Sequence, residues 1–322
     1  MKILFISNNE DYDPKKNPRG DILLLHLYEK KGNEVLKLRK QDWLGFYFSY
    51  MKFKPDIILS SWVPGGFIPT ILKRIGLINV PLVHHWDDFY EDSMTNYPKF
   101  LISFLEKSTI KNSDYIITVS KYNEKKAKDM NKKVFYVAHG IDENVKETEI
   151  NLDSLKTDND NLKVVYIGDQ FSKYKALDKI IVSVSRLKCD LFLFGEINKK
   201  LIPLGGKNVH FMGKVPSSEI LSILKQSDIL INRSNMDSNF KFFEYIHAGK
   251  PILAHNDRPS LLFKHRYDAF LTDNFEEGLS ILIEDAELRK RLEENVKKIK
   301  TYSWDSVADM HLELYDKMIN DG

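Results

Sequence analysis

The chain has 322 residues, 48 of them basic and 46 acidic, for a formal net charge of +2. Near-balanced charge excludes a dedicated nucleic-acid binder, which carries a large basic excess; 43% hydrophobic residues with 12% aromatics exclude a disordered chain. The one cysteine, Cys189, excludes an intramolecular disulfide framework and fits a reducing cytoplasm.

The length suits two domains of about 150 residues. MKILFISNN leads straight into a strand without signal-peptide anatomy. No apolar run reaches the roughly 18 residues that a membrane span needs. A cytoplasmic protein is expected, with the inner face of the membrane as a further place of action.

Lys2–Ser7 reads as a buried strand, followed by a polar loop holding Pro14, Pro18, Arg19 and Gly20. Asp21 opens a helix with Ile22, Leu25, Leu27 and Tyr28 apolar, and residues 33–38 form the next strand, completing a βαβ unit. It lacks G-x-G-x-x-G, so a dinucleotide fingerprint is absent. Asp11-Tyr12-Asp13 has the spacing of a metal-binding pair, but so short a triplet recurs by chance and reads as loop.

Residues 43–53, WLGFYFSYMKF, hold six aromatics and end at Lys52 and Lys54. Two readings stay open: an interfacial helix at a lipid surface, or, preferred, a helix buried against the sheet. Pro55–Ser60 is another buried strand, and Gly65-Gly66 opens the next helix. Pro81–His85 then runs into Trp86-Asp87-Asp88. Parallel α/β sheets bind ligands beyond their strand C-termini, so His85, Asp87 and Asp88 point at a cleft. They are the acid/base candidates of this half; an N-capping aspartate beside a hydrogen-bonded histidine is the structural alternative. Asp114–Val119 is a strand, Ser120 caps a Lys-rich helix, and Val134–Val137 leads to Ala138-His139-Gly140-Ile141-Asp142.

Glu147–Asn161 is polar and reads as the interdomain linker. Strands follow at 162–168, 191–195 and 209–213, with Ser217-Ser218-Glu219 expected to cap the helix before the strand at 228–231. Ser238 or Asn239 can cap a helix through Phe240, Phe243, Tyr245 and Ile246. Gly249 stops that helix in a left-handed conformation, and Pro251 prevents its continuation. Lys241 and Glu244, three apart, share one face in its first turns. A helix start attracts anions and a lysine adds charge, so a phosphate beside a ribose fits the pair. A capped, solvated helix is an equally weighted reading of the spacing.

The stretch KFFEYIHAGKPILA resembles the K-x-x-E-Y-x-A-x-G-K-P signature of the GT-B glycosyltransferases that build bacterial polysaccharides and glycolipids. Weaker resemblances lie at 114–142 and 162–176. They imply an α/β chain of two facing Rossmann-like domains: an acceptor-binding domain over 1–150 and a nucleotide-sugar-binding domain over 151–303. A helix over 304–322 would return to the first. The implied activity is sugar transfer from a nucleotide-diphosphate sugar to a saccharide or lipid-linked acceptor. It needs no cofactor, metal or nucleic acid, and peripheral membrane contact stays open. A non-catalytic nucleotide-sugar-binding scaffold and a nucleotide-sugar epimerase are the alternatives.

By the same resemblance Glu244 holds the donor ribose, Asn239, Phe240 and Lys241 hold the diphosphate, and Ser238 belongs to the nucleotide-sugar-binding set. Gly213 and Lys214 sit where the family holds the base, and Lys175 matches a diphosphate lysine. Asp237, Arg233 and Phe240 shape donor choice, while Arg19, Gly20 and His139 face the acceptor. Three departures stand out. Met236, beside Asp237, replaces a sugar-holding glutamate of many retaining members. Asp169 replaces a diphosphate arginine, a charge that Lys173 or Arg233 could supply. Ala176 replaces a glycine.

Overall fold

The computed structural model describes residues 1–7, 20–61, 63–87, 98–131, 133–142, 155, 161–171 and 176–321. The chain divides into two compact units, Met1–Gly140 with Tyr302–Gly322, and Ile141–Thr301.

Unit 1 is built on a six-stranded parallel sheet of order β2-β1-β3-β4-β5-β6. Its strands are β1 (Lys2–Ile6), β2 (Glu34–Leu38), β3 (Ile57–Ser61), β4 (Leu82–His85), β5 (Tyr115–Thr118) and β6 (Val134–Tyr136). The helices are α1 (Gly20–Lys30), α2 (Phe46–Phe53), α3 (Val63–Arg74), α4 (Lys99–Asn112) and α5 (Lys121–Lys128). The crossover from β1 to β2 runs one way across the sheet; those from β2 to β3, β3 to β4 and β4 to β5 run the other. Right-handed crossovers therefore place α1 on one face and α2, α3 and α4 on the other. Continuous apolar strands such as Ile57–Leu59 suit a sheet covered on both sides.

Unit 2 repeats the plan with order β10-β9-β8-β11-β12-β13. Its strands are β8 (Leu162–Ile167), β9 (Cys189–Phe194), β10 (Val209–Gly213), β11 (Ile229–Asn232), β12 (Ile252–Ala254) and β13 (Phe270–Leu271). The helices are α6 (Leu177–Val184), α7 (Ser217–Lys225), α8 (Phe240–Ala248), α9 (Phe275–Glu284) and α10 (Ala286–Val296). Separate cores cover the two faces: Ile180, Ile181 and Leu279 on one, Phe242, Tyr245 and Ile246 on the other. Cys189 opens β9 fully buried, which pushes its thiol up to about 12.

A short pair joins β7 (Gly140–Ile141) to β14 (Tyr302–Ser303). The chain then enters α11 (Trp304–Asn320), capped by Ser303, whose hydroxyl accepts from Ser306 N at 3.1 Å. α11 packs on α1, so the C-terminal helix does return to the N-terminal unit. Gly140 admits it: a Cβ there would come within 2.5 Å of Trp304.

Local readings shift in three places. α7 is preceded by Pro216 with no side-chain cap, because Ser217 and Ser218 already lie in its first turn. α3 begins two residues before Gly65. Leu155, inside the stretch expected to be a polar linker, is buried with Val165 and Ile167 in the core of unit 2; the other residues of 147–160 lie outside the described residues.

Candidate active site

α8 is set by local chemistry. Asn239 caps it, its side chain accepting from Lys241 N at 3.0 Å. Gly249 ends it at φ +69. Phe242, Phe243, Tyr245 and Ile246 are buried, which turns Lys241 and Glu244 outward. There Lys241 Nζ donates to Glu244 Oε2 at 3.2 Å, with both side chains less than a fifth exposed. Tyr245 fixes the helix on the sheet: its hydroxyl donates to Ile231 O and accepts from Ile167 N, each at 3.3 Å. It thus bridges the C-terminal ends of β11 and β8. Full burial pushes that hydroxyl well above its usual range, so it stays protonated. Sequence reasoning read Tyr245 as packing; its anchoring bonds depend on partners 14 and 78 residues away.

The loops beyond the other strand ends are held together at glycines. Gly168 N donates to Phe194 O at 3.0 Å, and Gly195 N to Gly213 O at 2.8 Å. A Cβ at Gly195 would overlap the Gly168 carbonyl oxygen. Gly213 takes φ +81 with open space around it, and exposed Lys214 pairs with Glu196 at 2.8 Å.

Arg233 Nη1 donates to Ala176 O at 3.3 Å, and the guanidinium lies over the Phe275 ring at 5.4 Å. It lines an open cavity of ≈ 550 Å³ with Asp178, Lys179, Asp273 and Glu276. Asp237 is buried and Ser238 and Phe240 are half-buried. Lys173 and Lys175 lie outside the described residues, as do Asp11 to Asp13.

Ala176, the residue before α6, keeps a left-handed backbone (φ +40, ψ +50) although it is not glycine. An L-residue there costs about 1 kcal/mol or more. Ala176→Gly is therefore expected to stabilise the protein by about 1 kcal/mol in urea unfolding. A lower stability for the glycine variant would show that this backbone is not strained.

In unit 1, Gly20 opens α1 at φ +63, and Arg19 and Asp88 lie outside the described residues. His85 is buried, with Nε2 2.8 Å from the Tyr315 hydroxyl and Nδ1 4.0 Å from Asp21 Oδ1. Tyr28 lies 2.6 Å from His311 Nδ1 and 3.4 Å from the Tyr315 hydroxyl. The His85 and His311 rings meet edge-on at 5.2 Å. Burial holds both imidazoles below their ordinary value; for His85 the Asp21 carboxylate opposes that shift, and for His311 the neighbouring His85 and His139 add to it. His139 is buried too, its ring 6.2 Å from that of Trp304. So His85 and His139 belong to an interior cluster under α11, and Asp87, half-buried just past β4, is the described acid/base candidate nearer the surface. The backbone there is pinned by Trp86, whose carbonyl accepts from Thr118 Oγ1 at 2.6 Å and Asn123 Nδ2 at 3.2 Å.

No protein-family model and no curated protein matches the chain. Solved structures do. HepE from Anabaena, solved with UDP-glucose, is 16% identical at a TM-score of 0.68, over 98% of this chain and 100% of that one. Sucrose-phosphate synthase from Thermosynechococcus elongatus is 14% identical at 0.76 over all of both chains. A glycosyltransferase from Rickettsia africae is 13% identical at 0.69, over 100% of this chain and 99% of that one. The fold is GT-B. At such identities the likeness is one of GT-B architecture, and the roles of side chains rest on their own geometry.

Proposed function

We propose that the protein is a glycosyltransferase that moves a sugar from a nucleotide-diphosphate sugar to a saccharide or lipid-linked acceptor, in the synthesis of cell-surface polysaccharide or glycoconjugate. The observation that carries it is the Lys241–Glu244 pair on the Asn239-capped start of α8, at the C-terminal edge of a parallel sheet. The GT-B fold, shared with a structure solved with UDP-glucose, supports it.

Unit 2 takes the donor and unit 1 the acceptor. Without donor, Lys241 and Glu244 neutralise each other. With donor, Lys241 and the positive N-terminal end of α8 face the diphosphate, and Glu244 accepts from the ribose hydroxyls. Charge that builds on the departing diphosphate meets dipoles and a cation already in place, which lowers the barrier without a metal. Asp87 is the candidate to receive the acceptor's proton. His85 and His139 act through the packing of α11 on unit 1, as positioning residues. Asp169 and Met236, which remove a cation and a carboxylate from the family pattern, favour a second reading, a donor-binding scaffold without turnover.

A thermal-shift screen against UDP, GDP, ADP, CDP and TDP, followed by donor turnover with the stabilising nucleotide's sugars, tests both. One nucleotide is expected to raise the melting temperature, and its sugar donor to be consumed. Stabilisation without turnover would leave the scaffold; no stabilisation by any of the five would remove both readings.

A further inference from the structure

The face of unit 1 formed by α2, α3 and α4 is apolar and basic at once. Phe48 and Met51, 78% and 53% exposed, lie three apart on the outer side of α2, and Leu44, 98% exposed, stands in the 3-10 turn just before it. Trp43, Phe46, Tyr47, Tyr50 and Phe53 meanwhile pack inward with Ile58 and Leu82. The aromatic stretch thus supplies both a buried and a solvent-facing apolar side.

α4 carries a second stripe in the same phase: Phe100 and Phe104, 77% and 60% exposed, continue into exposed Lys107 and Lys111. α3 lies between, with Ile71 outward and exposed Ile75 in the turn that follows it, and joins α4 through Phe67 and Phe104, whose rings meet at 6.2 Å. Single exposed apolar residues are ordinary on a protein surface. Phased stripes on neighbouring helices mark a contact surface.

Charge identifies the partner. Residues 44–54, 65–80 and 98–112 contain seven cations and one carboxylate, Glu106. Glu106 is buried and accepts from Trp86 Nε1 at 2.8 Å. Lys73 is spent on Asp114 at 2.9 Å. Among the described residues Lys52, Lys54, Arg74, Lys99, Lys107 and Lys111 form no ion pair. The flanking carboxylates Asp42 and Asp56 are turned to the backbone N–H groups of Arg39 and Lys2. A second copy of this face would set cations against cations. A bilayer with anionic headgroups receives both sets of groups, the lysines at the phosphates and the phenylalanines among the upper acyl carbons.

We propose that this face docks on anionic membrane, with Phe48, Met51, Phe100 and Phe104 entering the interface and the six cations facing the headgroups. The proposal deepens the reading of a lipid-linked acceptor, yet it rests on the surface of unit 1 and needs no transfer chemistry.

Sedimentation of the full chain with vesicles tests it, using phosphatidylcholine alone and phosphatidylcholine mixed equally with phosphatidylglycerol. Binding is expected to the mixed vesicles, to weaken with salt, and to fall about tenfold or more in Lys107→Glu/Lys111→Glu. Phe100→Ser should lower it several-fold with an unchanged melting temperature, since that ring is 77% exposed. Absence of binding to the anionic vesicles, or variants that bind like the parent chain, would overturn the proposal. So would a dimer in light scattering that these substitutions dissolve, since the face would then pair with itself. Nucleoside-diphosphate stabilisation of the same variants should be untouched, so failure here and failure of the donor site are separately visible.

Discussion

Glu244→Ala is expected to weaken binding of the stabilising nucleoside diphosphate by about tenfold to a hundredfold, the worth of a charge-assisted hydrogen bond or two to the ribose. Lys241→Ala should cost as much. The pair separates under a second ligand. Inorganic pyrophosphate has no ribose, so its binding should survive Glu244→Ala, and tighten where Lys241 is released from its 3.2 Å ion pair. Lys241→Ala should weaken pyrophosphate and nucleotide alike. Neither change should lower the melting temperature by more than a degree or two, because an i,i+3 ion pair on the outer face of a helix contributes about 0.5 kcal/mol or less. Calorimetric titration of both ligands against both variants decides. An early-melting variant with unchanged affinity would make the pair a helix-stabilising device and put the donor elsewhere.

Acid should destabilise unit 1 ahead of unit 2. His84, His85 and His311 are buried in unit 1, and burial holds all three below the ordinary histidine value, His84 down to about 3. His84 Nδ1 is 2.9 Å from Ser60 Oγ. The folded chain keeps these rings neutral while the unfolded chain protonates them. Stability is therefore complete above about pH 6.5 and declines as pH falls below it, by up to about 1.4 kcal/mol per pH unit for each ring. Asp21 favours protonation of His85 and reduces that ring's share; His85 and His139 around His311 oppose it. At the alkaline end burial raises the hydroxyls of Tyr28 and Tyr315, so a second loss begins as pH passes the ordinary tyrosine value of about 10.

All four tryptophans (Trp43, Trp62, Trp86 and Trp304) belong to unit 1, so their fluorescence follows that unit. Urea unfolding monitored this way should show a midpoint that falls from about pH 7.5 to about pH 5. A flat or rising midpoint would mean that water reaches these rings.

What could be read directly from sequence is what local chemistry decides. The alternation of apolar strands with helices announces two α/β units, because such strands stay buried only between two layers of helices. α8 is legible to the residue: Asn239 satisfies the first N–H groups, Gly249 accepts the left-handed stop, and Pro251 blocks further turns. Each of these acts within a few residues of its own position.

What escaped is non-local. Leu155 looks solvated in a stretch of polar neighbours, and only its seat beside Val165 and Ile167 buries it. His85 reads as a surface base at a strand end until α11, some 230 residues onward, lays Tyr315 against it. Tyr28 and His311 meet across 283 residues. Periodicity reports which side of an element is apolar, while the partner of a buried polar atom depends on which elements the topology brings together. The sequence by itself therefore determined the elements, their order and the capped start of α8. Tertiary structure decided which ionisable groups remain near solvent and which are sealed, neutral, in the interior.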